Sequence, residues 1–230
     1  MTTLGATAGA TTEADVSRLT RIVVAGAPGS GKGTQCPALA EAMGVPHIST
    51  GDLLRDEVRR ESALGMEVAA TMARGGLLPD ALVLALLGNR LTQDDADDGF
   101  VLDGFPRTSE QARALCNLLG PDGLDLVIEL VVPAEAIISR LAERRVCADC
   151  SAPGPTTGDA CEACGGKLGR RSDDDAAAVH RRLAAYRCYT EPMLRWFERR
   201  GLLVRLDGAA PAERVTSTLL RLVGAQPALA

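Results

Sequence analysis

Apolar residues fall along this chain in short unbroken runs separated by longer stretches with helical periodicity. The runs at 21–25 (RIVVA), 100–103 (FVLD), 126–132 (LVIELVV) and 202–207 (LLVRLD) are rich in Val, Ile and Leu and barely alternate. Such runs suit strands buried on both faces of a parallel sheet, and residues 45–48 are a weaker fifth candidate. The spacing predicts helices over 32–43, 80–91, 109–119, 134–145, 174–200 and 212–222. Strand and helix in alternation predict an α/β fold, a doubly wound core around a five-stranded parallel sheet.

Two segments stand outside that alternation. Residues 50–79 are helical and polar with no strand between them, and residues 146–172 are rich in Cys, Gly, Pro and Asp with little to bury. Both read as insertions over the sheet, leaving 21–49, 80–145 and 173–230 as the core. Residues 1–20 lack the basic and apolar regions of a targeting peptide, carry Glu13 and Asp15, and read as a disordered leader.

Composition narrows the chemistry. Hydrophobic residues make up 46% and aromatics only 3%, so the core must be built from Ala, Val and Leu. A net charge of −5 argues against an extended nucleic-acid surface, so basic groups that matter must gather around a small anion. No apolar run is long enough to span a membrane. Of seven cysteines, four lie in two CxxC pairs, which suits metal binding in a reducing, cytoplasmic compartment better than a disulfide framework.

The first strand runs into GAPGSGKGTQ at 26–35. A glycine-rich turn at a helix start lets backbone N–H groups of Gly29, Ser30 and Gly31 face phosphate oxygens, and Lys32 adds a mobile cation. The plain alternative is an ordinary strand–helix turn. The general P-loop pattern places Ser or Thr directly after the Lys, whereas here Gly33 intervenes before Thr34. STGDLLR at 49–55, GLLPD at 76–80 and DGFPRT at 103–108 follow. Each also has a simple structural reading: Ser49 or Thr50 as a helix cap, Pro79 as a helix start, and Thr108 with Gln111 as a capping box. Asp103 stands at a strand end, where doubly wound folds place ligands and where an acid can orient water around Mg²⁺.

GAPGSGKGTQ resembles the nucleoside monophosphate kinases of the adenylate kinase family, and the other motifs extend the resemblance through nearly the whole chain from residue 21. The resemblance implies transfer of the terminal phosphoryl of Mg·ATP to AMP by direct in-line displacement with lid closure. It implies ATP contacts at Gly29, Ser30, Gly31, Lys32, Gly33, Thr34, Arg140 and Arg144. It implies AMP contacts at Thr50, Arg55, Leu78, Gly104, Arg107, Gln111, Arg171 and Arg182, with Asp103 holding Mg²⁺ through water. Catalytic charge would come from Lys32, Arg107, Arg144, Arg171 and Arg182, since phosphoryl transfer needs positive charge more than a general base. Arg140 and Arg144 are placed by the helical spacing on one face, and Arg182 on the same predicted helix as the residues following Arg171.

Cys147, Cys150, Cys161 and Cys164 make a closed four-thiolate site, hence a structural Zn²⁺. Some members of the resembled family carry such a lid, but the ten-residue spacer here lacks their aromatic and NPP-type residues, leaving ATP against GTP open. Asp173–Asp175 read as acids at a helix N-terminus. The partners implied are ATP, AMP and ADP, with no nucleic acid and no membrane, and the family suggests a monomer. The alternatives are a kinase for UMP or CMP, or a zinc-ribbon ATPase stimulated by nucleic acid.

Overall fold

A computed structural model describes residues 19–74, 76, 78–120, 123–150, 152–154, 158–171 and 173–225. Of the leader read over residues 1–20, residues 1–18 lie outside the described residues, whereas Leu19 packs on the core and Thr20 is bonded to Asp125 and Phe100, so the ordered chain begins before residue 21. Five parallel strands form the central sheet: β1 (Arg21–Gly26), β2 (His47–Ser49), β3 (Phe100–Asp103), β4 (Leu126–Val131) and β8 (Leu203–Asp207), in the order β2-β3-β1-β4-β8. Register aligns Val24 with Asp103 and Ile128, and Ser49 with Asp103, so β2 and β3 end level while β1 and β4 run on to Gly26 and Val131 at the same carboxyl edge. The expected fifth strand is present, but at 47–49 rather than 45–48.

Alternate side chains of β1 serve different layers. Val23 and Ala25 join Leu102, Val127, Leu87, Leu115 and Phe197 in one core, while Ile22 and Val24 join Val101, Ile128, Leu39 and Leu219 in the other. Burial on both faces is why the strand runs do not alternate in polarity. The first layer is closed by α4 (Asp80–Leu91), α5 (Ser109–Leu119) and α8 (Glu191–Glu198), the second by α1 (Lys32–Met43) and α9 (Ala212–Leu222). Asp125 ties the sheet's start together, its Oδ2 accepting 2.8 Å bonds from the backbone N–H of both Thr20 and Arg21.

Two helices, α2 (Thr50–Arg59) and α3 (Ala63–Ala73), stand between β2 and α4. Ser49 and Ser62 cap them, accepting from Asp52 N and Gly65 N, so the cap reading of Ser49 holds. Helix α6 (Ala134–Glu143) is shorter than expected, because Arg144 adopts extended backbone and leads into β5 (Arg145–Cys147). Strand β5 pairs antiparallel with β6 (Pro153–Gly154) and β7 (Leu168–Gly169). The helix expected over 174–200 starts late, at α7 (Ala176–Ala185), and carries a π turn at Tyr186–Thr190 before α8. Asp175 caps α7, accepting from Ala177 N at 2.9 Å and Ala178 N at 3.0 Å. The π turn sits where Tyr186 donates to Glu129 Oε1 at 2.7 Å and Thr190 donates to the Arg107 carbonyl at 3.0 Å. A local widening of the helix at such a point is typical of a functional region.

Candidate active site

The loop between β1 and α1 takes backbone shapes that only glycine adopts freely. Gly29 and Gly31 have φ of 81° and 99°, and a Cβ on Gly29 would lie 2.9 Å from Leu141 Cγ. Gly31 is the N-cap of α1 and offers no side-chain acceptor, so the first N–H groups of the helix remain open to an anion. Lys32 Nζ is folded back on this loop, donating to the carbonyls of Gly26 at 2.8 Å and Ala27 at 3.1 Å, with Ser30 Oγ at 3.5 Å. Enclosure lowers the Lys32 pKa, and the Asp103 carboxylate works against that. Gly33 and Thr34 are exposed on the first turn, whereas Ser30 is buried beneath the loop.

Beyond the ends of β2 and β3 lies an open cleft. Its walls include Thr50, Arg55, Leu78, Gly104, Arg107, Gln111, Arg171 and Arg182, together with Leu54, Met72, Val83 and Phe105. The buried Thr50 hydroxyl donates to the Asp103 carbonyl at 3.3 Å. Arg107 Nε donates to the Gly104 carbonyl at 2.7 Å, and Arg55 pairs with Asp52 one turn earlier. Burial would raise the Asp52 carboxyl, but the Arg55 guanidinium outweighs it and holds the carboxyl below its usual range.

Gln111 is 3% exposed and its amide is fixed from both ends. Its Oε1 accepts from Arg107 N at 2.7 Å, and its Nε2 donates to Asp80 Oδ1 at 2.6 Å. Thr108 caps α5 by accepting from Gln111 N at 3.1 Å, but the Gln side chain reaches Arg107 rather than closing a capping box on Thr108. Because Arg107 N–H can only donate and a carboxylate only accepts, the amide has one favourable orientation. One Nε2 hydrogen and one Oε1 lone pair are left for a ligand.

Arginines converge on the same cleft from the other side. Arg171 grips Asp173 through two 2.8 Å bonds. Arg144 Nε donates to Asp174 Oδ2 at 2.7 Å, and Arg182 Nη1 lies 3.2 Å from Asp174 Oδ1 and 3.3 Å from Asp173 Oδ2. Asp173 and Asp174 therefore anchor guanidiniums and only Asp175 serves a helix N-terminus, correcting the reading of all three as dipole-stabilised acids. Burial, with Arg171, Arg144 and Arg107 as like-charged neighbours, lowers the Arg182 pKa to about 10 even though Asp173 opposes it. Such crowding of like charge favours a polyanion. Arg140 does not join this group. It donates to the Gly208 carbonyl at 2.9 Å, while Arg144 has left the helix, so the two do not share a helical face.

The sulfurs of Cys147, Cys150, Cys161 and Cys164 all lie within 4.8 Å of one another. Cys147 Sγ is 3.4 Å from Cys164 Sγ, and Cys150 Sγ is 3.6 Å from Cys161 Sγ. These spacings exclude disulfides, and they approach the edge of about 3.8 Å expected of a tetrahedron with 2.3 Å metal–sulfur bonds. Backbone N–H groups of Cys150 and Asp149 bring the Cys147 thiol down to about 7, towards the thiolate that a metal needs. Gly166 leaves room for the knuckle, since a Cβ there would meet Asp149 Oδ2 at 2.2 Å and Cys147 Sγ at 2.9 Å. The four sulfurs fit a closed tetrahedral ion.

Comparison with known proteins places this geometry. The adenylate kinase family profile matches residues 24–202. The chain belongs to the adenylate kinase family. An adenylate kinase of Caldicellulosiruptor saccharolyticus is 40% identical over 214 residues, covering 90% of this chain and 100% of that protein. Those of Streptomyces avermitilis and Acidothermus cellulolyticus are 42% and 43% identical over 205 residues, covering 85% and 86% of this chain and 93% and 94% of those proteins. The chain is a nucleoside monophosphate kinase of that family.

All eight residues singled out on the acceptor side line one cleft. Four residues escaped the sequence reading. Asp80 appeared only as a helix start, and its bond to Gln111 spans 31 positions. Glu129, in the centre of β4, accepts from Tyr186 and from Arg205 Nε at 2.9 Å, a network that the apolar run LVIELVV conceals apart from the lone acid.

Proposed function

We propose that the protein catalyses Mg·ATP + AMP ⇌ 2 ADP by in-line transfer without a covalent intermediate. The observation that carries the reading is the cleft itself, lined both by a fixed carboxamide and by the Arg107, Arg171 and Arg182 guanidiniums, a combination that matches a purine base and a phosphate. Gln111 reads the adenine edge: its free Nε2 hydrogen suits N1, and its free Oε1 lone pair suits the exocyclic amine. Thr50, Leu78 and Gly104 enclose the base and Arg55 and Arg107 hold the acceptor phosphate.

On the donor side, Gly29 to Thr34 cradle the ATP phosphates, and Lys32 turns from the loop carbonyls to the transferring phosphoryl. Arg140 and Arg144 complete the donor contacts. Arg144, Arg171 and Arg182 neutralise charge developing between donor and acceptor, where fixed cations in a closed site act most strongly. Asp103 would hold the Mg²⁺ of Mg·ATP through water. Residues 50–79 and 146–172 are the two covers that close on the core and exclude water. Arg181 Nε, 2.7 Å from the Arg74 carbonyl, already links α7 to the end of α3.

The ion held by the four cysteines is Zn²⁺ with a structural role, since four thiolates leave no open position. No helix among the described residues is long and apolar enough to cross a membrane. The thiolate site supports a reducing, cytoplasmic setting, and family membership supports a monomer. A coupled assay over AMP, GMP, UMP and CMP tests the reading. AMP should exceed the others by at least about 10²-fold in kcat/KM, the discrimination that directed polar groups achieve. Equal rates with UMP or CMP would overturn the acceptor assignment.

A further inference from the structure

Behind the Mg²⁺-side carboxylate lies a group of side chains that the proposed reaction does not use. Cys36 projects from the second turn of α1, His47 begins β2 and Asp103 ends β3. The Cys36 sulfur, a ring nitrogen of His47 and a carboxylate oxygen of Asp103 all lie within 4.8 Å of one another. His47 Nε2 is 4.0 Å from Asp103 Oδ2 and is a buried polar atom with no hydrogen-bond partner. Cys36 is 0% exposed and Asp103 9% exposed, and Asp103 directly precedes Gly104, which lines the cleft. A buried imidazole nitrogen left without a partner is costly unless something else satisfies it.

We propose that Cys36 Sγ, His47 Nε2 and the Asp103 carboxylate form a second metal site, selective for a soft divalent cation such as Zn²⁺, whose occupation inhibits phosphoryl transfer. Thiolate, imidazole and carboxylate together are a Zn²⁺ donor set, whereas Mg²⁺ prefers oxygen ligands and water. Three protein ligands leave a fourth position for water or a nucleotide phosphate oxygen. Ligand separations in a tetrahedral zinc site are about 3.3–3.8 Å, so the side chains need to close by no more than about 1.5 Å.

The electrostatics make the site conditional. Burial above all, and next the Asp103 carboxylate, push the Cys36 thiol well above its usual value, while Lys32 pulls it down. Zn²⁺ is bound by thiolate, so occupation of the site would release the Cys36 proton to solvent. Lys32 and Arg107 are cations that face the site, and the tether of Lys32 to the Gly26 and Ala27 carbonyls keeps its ammonium on the loop side. Inhibition rests on the reading of Asp103 as the Mg²⁺-water ligand, because a carboxylate committed to Zn²⁺ cannot serve Mg²⁺.

The test uses the full chain with its four lid thiolates already filled. Equilibrium dialysis with Zn²⁺ should show a further equivalent bound per chain. Kinase activity at excess Mg²⁺ should fall as that equivalent binds. Cys36→Ala should keep its basal activity, lose the extra equivalent and raise the half-inhibiting Zn²⁺ concentration by at least about tenfold, the scale of losing a strong contact to a metal. His47→Gln should do the same should the Cys36 variant fold poorly. No extra equivalent, or one unchanged in both variants, would overturn the site. An extra equivalent that depends on Cys36 yet leaves activity intact would uphold the site and overturn the role given to Asp103.

Discussion

Replacing Asp80 by Asn exchanges one carboxylate oxygen for an amide nitrogen at the residue that orients Gln111. In the native protein the Gln111 amide is set by the 2.7 Å bond from Arg107 N and the 2.6 Å bond to Asp80. Hypoxanthine differs from adenine at this edge by offering an N1–H donor and an O6 acceptor, so reading it requires the amide reversed. Reversal would turn Nε2 towards Arg107 N–H and Oε1 towards the Asp80 carboxylate, losing both bonds and opposing like poles. A neutral bond is worth about 1 kcal/mol and one to a charged group about 1.5–3 kcal/mol, so native discrimination against IMP through this device is about 2.5–4 kcal/mol. Asp80→Asn removes the charged share, because an Asn amide can turn to meet either face of Gln111. The AMP-to-IMP ratio of kcat/KM should then fall by roughly 10- to 100-fold, at 1.36 kcal/mol per factor of ten. Steady-state assays with both acceptors measure it. Asp80 also lies in the first turn of α4, so the variant could lower both rates through stability alone. The ratio is insensitive to that loss, and an unchanged ratio would refute the orienting role.

Other perturbations probe the remaining parts. Lys32→Met should lower kcat by about 10³-fold or more while KM for AMP moves less than about threefold, since the ammonium is proposed to act on the transferring phosphoryl. Stripping metal with a chelator should lower Tm and expose residues 146–172 to protease; at about 2–4 °C per kcal/mol, loss of even ~2 kcal/mol is measurable. An unchanged melt of metal-free protein would refute the structural role. Burial would raise the Asp173 carboxyl, but Arg171 and Arg182 hold it below its ordinary 3.8. A depressed folded pKa contributes stability above 3.8 that is lost as pH falls below it, so Asp173→Asn should melt lower than the parent at pH 7 and converge with it in acid. A constant gap in Tm from pH 7 to pH 2 would show that the ion pairs are not its source.

Much of the fold was legible because its signals are local. Helices α1, α4, α5 and α9 begin and end where Gly31, Gly44, Pro79, Thr108, Gly120 and Pro211 stand, residues whose backbone or side-chain chemistry marks a boundary. The strand runs carry burial on both faces in their composition. What failed to show in the residues depends on partners far along the chain. Arg144 leaves its helix to meet Asp174, 30 positions on, and helical periodicity contains nothing of that bond. Asp80 and Gln111 are likewise joined only by the packing of α4 against α5. The π turn at 186–190 answers to Glu129 on a distant strand, and Asp173 and Asp174 could pass as helix-start acids until the arginines facing them were located. On the acceptor side, the residues that the family resemblance implies do line one cleft; the way its amide and guanidiniums are held required the structure.

The central claim is transfer to AMP, and product accounting tests it most directly. Phosphorus NMR of the enzyme with Mg·ATP and AMP should show two ADP formed for each AMP consumed, no free phosphate, and no turnover of ATP when AMP is withheld. Release of inorganic phosphate from ATP at a rate independent of AMP would contradict it.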